Sequence, residues 1–274
     1  MFALYVEAPF AVFRTFTAGW YRPTATFLTP SAAYGLLLNI AGIESRLREG
    51  EPGHDGKTPA TLTRPGLPVV ELALGAPEFT LRQGHMIRPP EDEIYPRVQT
   101  IFQQLHNYPV GSSGKERAES TKGNKYNITP VRREYLSNLR AVIAMRGNKE
   151  LATRVRRGLA GEFFTGRYGT PYLGDNAFLV DRLEVLPEPL PPIRWFERIG
   201  AELAAGVRDR ATRLTMVIDR ANLSSTTSAL FAPQAKAAPE SSDPPDSAWT
   251  TINLPRQESS AKPEGRQSRQ KKKK

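Results

Sequence analysis

The chain has no cysteine among its 274 residues. That excludes disulfides, thiolate zinc sites and thiol catalysis, and it suits a reducing compartment. Histidine is scarce: His54, His85 and His106 are the whole supply. They are too scattered for a metal cluster, and no Lys-His pair exists. His54 lies in a polar loop, His85 follows a glycine at a strand turn, and His106 reads as a structural hydrogen-bonding residue. Paired carboxylates and a Gly-x-Ser-x-Gly elbow are missing, and "GRYGTPYLG" lacks the spacing and lysine of a phosphate loop. No apolar run approaches the ~18 residues of a membrane span. The opening "MFALYVEAPFAVF" carries Glu7 and no basic stretch, so it reads as a strand rather than a signal peptide. These absences lead to an expectation: a soluble cytoplasmic protein without metal, cofactor or membrane contact, and not an enzyme.

Positive charge is present, at a formal +10, and it is uneven. Residues 255–274 hold eight basic side chains against Glu258 and Glu264, a local +6 that leaves about +4 for the rest. A basic tail alone is a weak signal for nucleic acid, so the body must supply the argument. Between 112 and 134 it does. Lys115, Arg117, Lys122, Lys125, Arg132 and Arg133 stand against three glutamates, among Gly111, Gly114 and Gly123, with Tyr108 and Tyr126 nearby. Cations on phosphates and aromatic faces on splayed bases are what single-stranded RNA requires. The alternative for this stretch is a solvated loop. Arg14, Phe16, Tyr21 and Arg22 form a second group, whose alternative is a surface turn with aromatic packing. Arg167 and Tyr168 form a third, in a glycine-rich turn that is otherwise an ordinary hairpin.

Periodicity places these groups on an α+β body. Residues 2–8 read as a strand continuing towards Phe13, 30–43 as a helix, and 44–66 as a polar loop. "LPVVELALG" is a second strand and "EFTLRQGHMIR" another, in a hairpin. Residues 89–134 show little strand pattern and read as an insertion with one short helix near 94–105. "EYLSNLRAVIAMRG" is a strand, "NKELATRVRRGLAG" a helix capped by Asn148, and "NAFLVDRLEVL" a strand. This β-α-β…β-α-β order is that of the ferredoxin-like fold. "IRWFERIGAELAAG" reads as a helix and "TRLTMVIDR" as a strand of a small C-terminal extension. The expected division is a body over 1–232, a Pro/Ser-rich segment over 233–254 with "AWTTINLP" docking back, and a disordered tail over 255–274.

In the first helix, Thr29 is a good N-cap and Pro30 suits the first position. Gly35 is out of place there, because a mid-helix glycine costs roughly 1 kcal/mol against alanine. It marks close packing of another backbone, or else a helix mouth that faces a phosphate through Thr29, Ser31 and Tyr34.

"APFAVFRTF" followed by a Pro/Thr turn and "TPSAAYGLLLNIAG" resembles the fifth CRISPR-associated protein family of the RAMP superfamily. "YPVGSSGKERAESTKGNKYNITPVRREYL" looks like that family's thumb-like insertion, "TPYLGDNAFLVDRLEVL" like its closing hairpin, and "RLTMVIDRANLSSTTSALFAP" is similar to the C-terminal part of subtype I-B relatives. The resemblance implies a ferredoxin-like, RNA-recognition-motif-like RAMP domain. It also implies a non-catalytic subunit of a type I Cascade effector that binds the 5′ handle of crRNA. Its implied partners are the backbone subunit, the large subunit and target DNA near the protospacer-adjacent motif. The RNA contacts then fall on the three groups above and on the helix mouth. Some RAMP proteins cleave precursor crRNA, so a metal-independent endoribonuclease is the alternative.

Overall fold

The structure is a computed structural model that describes residues 1–15, 21–54, 56, 62–109, 126–163, 169–200, 210–220, 222–237 and 242–253, with backbone alone for 104–109 and 126–129. In chain order its elements are β1 (Phe2–Ala11), β2 (Tyr21–Arg22), α1 (Pro30–Ile40), β3 (Arg46–Leu47), β4 (Leu62–Thr63) and β5 (Val70–Pro77). Then come β6 (Thr80–Arg82), β7 (His85–Ile87), β8 (Arg97–Pro109), β9 (Tyr126–Arg146) and α2 (Lys149–Leu159). The last are β10 (Arg182–Val185), β11 (Ile193–Arg198), β12 (Thr212–Val217), β13 (Thr227–Pro233) and β14 (Thr250–Ile252).

One sheet runs β10-β1-β9-β5-β11-β13-β12, and β14 pairs with β5 while β2 and β8 pair with β9. The neighbours β10–β1, β1–β9 and β9–β5 are antiparallel. Side chains alternate across a strand, and β1 buries both sets. Phe2, Leu4, Val6 and Ala8 join the core beneath the helices, and Ala3 and Tyr5 join a second core with Phe79, Val142 and Trp195. The Tyr5 hydroxyl is pushed up to about 12 by burial and by neighbouring Glu7.

Both helices are capped as their sequences demand. Thr29 Oγ1 accepts from the Ala32 amide at 3.3 Å, and Asn148 Oδ1 from the Leu151 amide at 2.9 Å. Leu151, Val155 and Gly158 form the buried stripe of α2. A Cβ on Gly158 would overlap the carbonyl oxygen of Ile40, so the close approach of backbones occurs here. Gly35 is different: it is exposed, and a Cβ there would meet nothing within 4 Å. The close-packing expectation for Gly35 is therefore corrected.

Two helix expectations are also corrected. Residues 97–109 form β8, paired with β9 from Arg97↔Ser137 to Pro109↔Tyr126, and the short helical turn lies earlier, at Glu91–Glu93. Residues 97–103 are exposed on both faces, so no period of two reveals the strand. "IRWFER" is strand β11, where Ile193 and Trp195 enter one core and Phe196 the other. A strand buried on both faces looks like a buried helix to a periodicity argument; the rest of that stretch, 201–209, lies outside the described residues. Smaller differences are a two-residue ladder, β3–β4, within the polar loop, and a strand confined to Arg182–Val185 within "NAFLVDRLEVL". "AWTTINLP" contributes β14, registered Thr250↔Leu72.

Candidate nucleic-acid interface

β9 is long enough to serve two structures. Its C-terminal part sits between β1 and β5, and its N-terminal part pairs with β8 as a projecting arm. Where β1 ends, β2 takes its place beside β9, with Tyr21 opposite Arg132 and Arg22 opposite Arg133 in a parallel pairing. Two of the sequence groups meet here, at the base of the arm.

The contacts are specific. The Arg132 guanidinium lies over the Tyr21 ring, 5.2 Å from its centroid. The Tyr21 hydroxyl donates to Glu134, which also accepts the Thr24 amide at 3.2 Å. That hydrogen bond raises the Tyr21 pKa. Arg133 donates to Asp175 at 2.7 Å. The Ala177 amide holds the Asp175 carboxyl below its usual value; burial opposes this, and Arg133 and the charge of Arg14 add to it. The backbone of Arg14 pairs antiparallel with that of Thr24. Arg14, Arg22 and Arg132 are exposed.

Among the described residues four arginines thus stand near two carboxylates, an excess of two positive charges, with Arg132 and Glu134 on the Tyr21 side of β9 and Arg22 and Arg133 on the other. On the arm, Phe102 stands opposite Arg132 and is 74% exposed. Such a surface attracts a polyanion and offers faces for stacking.

The helix mouth is built differently. Thr29 is buried as the cap, and Ser31 Oγ is 3.1 Å from its hydroxyl. Tyr34 is buried, its hydroxyl donates to the Pro68 carbonyl at 2.7 Å, and burial pushes its pKa well up. Thr29 and Tyr34 therefore serve the body, and Ser31 stays half-buried at the rim. A cavity of about 60 Å³ lies beside Gly35, with Ser31, Tyr34, Thr63 and Arg220 in its wall.

Phe16, Lys115, Arg117, Lys122, Lys125, Arg167 and Tyr168 lie outside the described residues, as does the Tyr126 side chain. The His54 ring accepts the Gly56 amide within its own loop, and His85 opens the exposed strand β7. Among the described residues, no three His, Cys, Asp or Glu side chains gather as metal ligands, and no helix is long and apolar enough to cross a membrane. Sequence reasoning missed Asp175, Tyr135 and Phe10. All three lie inside the quoted motifs, Phe10 in "APFAVFRTF", Tyr135 at the end of the thumb-like stretch and Asp175 in the hairpin, but nothing local sets them apart there.

The sequence profile of the family described as CRISPR-associated protein (Cas_Cas5) matches residues 1–170. The chain belongs to this family. The match takes in α1, the arm, β9 and α2, and so most of the interface. No curated protein sequence matches the chain. Among solved structures, a chain described as "CRISPR RNA-guided surveillance complex" is similar with a TM-score of 0.50 and 16% identity, over 87% of this chain and 91% of that one. Another, described as "Crystal structure of Cas protein", has a TM-score of 0.40 and 11% identity over 85% of this chain and 93% of that one. The first likeness is one of fold.

Proposed function

We propose that the chain is a non-catalytic subunit of a type I CRISPR Cascade effector, acting in the cytoplasm, that binds the 5′ handle of crRNA. It caps the backbone there, between the backbone subunit and the large subunit, near target DNA that flanks the protospacer-adjacent motif. The observation that carries this reading is the cluster of Arg14, Tyr21, Arg22, Arg132 and Arg133 at the base of the β8–β9 arm. Family membership and the likeness to a surveillance-complex chain support it. The order β10-β1-β9-β5, with α1 after the first strand and α2 after β9, supports a ferredoxin-like RAMP body whose arm is the thumb-like insertion. Division of labour in such effectors fits the site: pairing reads sequence, and protein holds backbone and shape.

The test is RNA binding by the full chain across a salt series. Each phosphate contact on a single strand contributes a slope of about −0.7 in log K against log salt. Changing Arg14, Arg22 and Arg132 together to alanine is expected to weaken binding and make the slope shallower by about 2. Unchanged affinity and slope would sink the placement of the site. Incubation with repeat RNA in the absence of metal should leave the RNA intact; a discrete product lost on His85→Ala or His106→Ala would establish the nuclease reading instead.

A further inference from the structure

Phe10 interrupts the burial of β1. Residues 2–8 and Ala11 are buried, yet the Phe10 side chain is 43% exposed. It sits opposite Ser137, on the face of β9 that also carries Tyr135 and Arg133. Its ring centroid is 5.7 Å from Tyr135 and 5.8 Å from Phe178, and those two rings are 6.0 Å apart. They stand at 75° and 45° to Phe10. Neither stacks on it, so among the described residues the ring keeps a face without an aromatic partner. The stacked pairs among the described residues, Tyr5–Phe79 and Phe27–Phe196, lie at 26° and 20° with all four residues buried. Those pairs fill a core, whereas the Phe10 trio forms a surface.

The trio is also joined to the cations. Phe178 lies in the loop that carries Asp175, its amide donating to the Asp175 carbonyl at 2.9 Å, and Asp175 receives Arg133. That loop is clamped to the end of β1. The Val12 amide donates to the Leu173 carbonyl at 3.0 Å, and Gly174, at φ 82°, lets the Val12 carbonyl come where a Cβ would overlap it. An aromatic face shared with Arg22, which pairs opposite Arg133, and with Arg14, whose charge reaches Asp175, suits one kind of ligand: an unpaired base whose flanking phosphates lie on those arginines. Because the ring is already held, little side-chain freedom is lost on binding.

We propose that the open face of Phe10, held by Tyr135 and Phe178, is a stacking platform for one unpaired base of the bound RNA. This rests on the RNA-binding reading above.

The experiment uses the full chain and repeat RNAs carrying 2-aminopurine at successive positions. One position is expected to be quenched on binding through stacking. Phe10→Leu keeps an apolar side chain and every cation. It should abolish that quenching and weaken binding roughly 5- to 100-fold, with the salt slope unchanged. Phe10→Trp should restore both. An unchanged melting temperature for Phe10→Leu assigns the loss to stacking; a loss that Phe10→Trp does not rescue, or that follows the melting temperature, overturns the proposal. If Phe10→Leu binds RNA like wild type while the triple-arginine change weakens binding, the platform fails and the interface stands. If Phe10→Leu disturbs only assembly with partner proteins, the trio is a protein contact and the proposal falls. Absence of RNA binding by the wild-type chain would overturn both readings.

Discussion

Arg194 is 2% exposed and reaches two carboxylates: Nε to Glu78 at 2.6 Å, and its terminal nitrogens to Glu91 at 2.6 and 2.8 Å. It ties β11 to the turn before β6 and to the segment that leads into β8. Burial opposes ionisation of Glu78, but Arg194, the Ala237 amide and the charge of Arg88 together outweigh it and hold the carboxyl below its usual value; Arg194 lowers Glu91 directly. The sign follows. A carboxylate with a depressed folded pKa contributes stability above its unfolded value and loses it as pH falls through the folded value. Acid unfolding should therefore draw on this cluster below about pH 4.5. Arg194→Ala leaves half-buried Glu78 with only Arg88 and the Ala237 amide and should cost about 3 kcal/mol at neutral pH. It should also flatten the acid limb of stability. Urea midpoints between pH 3 and 7 check both expectations, and a variant as stable as wild type at pH 7 contradicts them.

At the scale of elements, the two helix glycines make opposite predictions. Gly158 of α2 meets the Ile40 carbonyl, so Gly158→Ala must push the helices apart and is expected to destabilise by about 1–3 kcal/mol. Gly35 of α1 is open, so Gly35→Ala should be neutral or stabilise by up to about 1 kcal/mol through helix propensity. Thermal or urea unfolding of the two variants side by side decides it. If Gly35→Ala leaves the isolated chain as stable as expected yet impairs assembly with crRNA, the bare backbone at Gly35 faces a partner. β8 and β9 show the same contrast between local and distant causes. β9 is legible where it is buried between β1 and β5, and illegible along the arm, where its partner is β8, exposed on both faces over residues 97–103.

At the scale of the whole molecule, the +10 charge divides between the body and the last twenty residues, which carry +6. The structure describes none of that tail, and its argument rests on composition: cations spaced by Pro, Ser and Gln, with few apolar residues. Contacts of this kind neutralise phosphates without fixing them. Removing residues 256–274 should make the salt slope shallower and weaken binding to any RNA about equally. Preference for the repeat handle over scrambled RNA should survive. Anisotropy titrations with both RNAs at several salt concentrations test this. A tail deletion that erased the preference would move the specific site from the body to the tail.

What the sequence by itself determined is local or compositional. Thr29 and Asn148 start their helices because an Ncap oxygen needs only the amide three residues on. α2 carries a period that a short window can read, β1 an apolar run and the β6–β7 hairpin a Gln-Gly turn, and "TPSAAYGLLLNIAG" carries the resemblance to the family. The tertiary structure decided the rest. Tyr21 finds Glu134 across 113 positions and Arg133 finds Asp175 across 42, because β9 gathers β1, β2, β5 and β8 along one strand. Phe10, Tyr135 and Phe178 are ordinary apolar letters until that pairing sets them within 6.0 Å of one another. Cross-strand neighbours are fixed by register, and register between distant segments is set by the burial of the whole sheet.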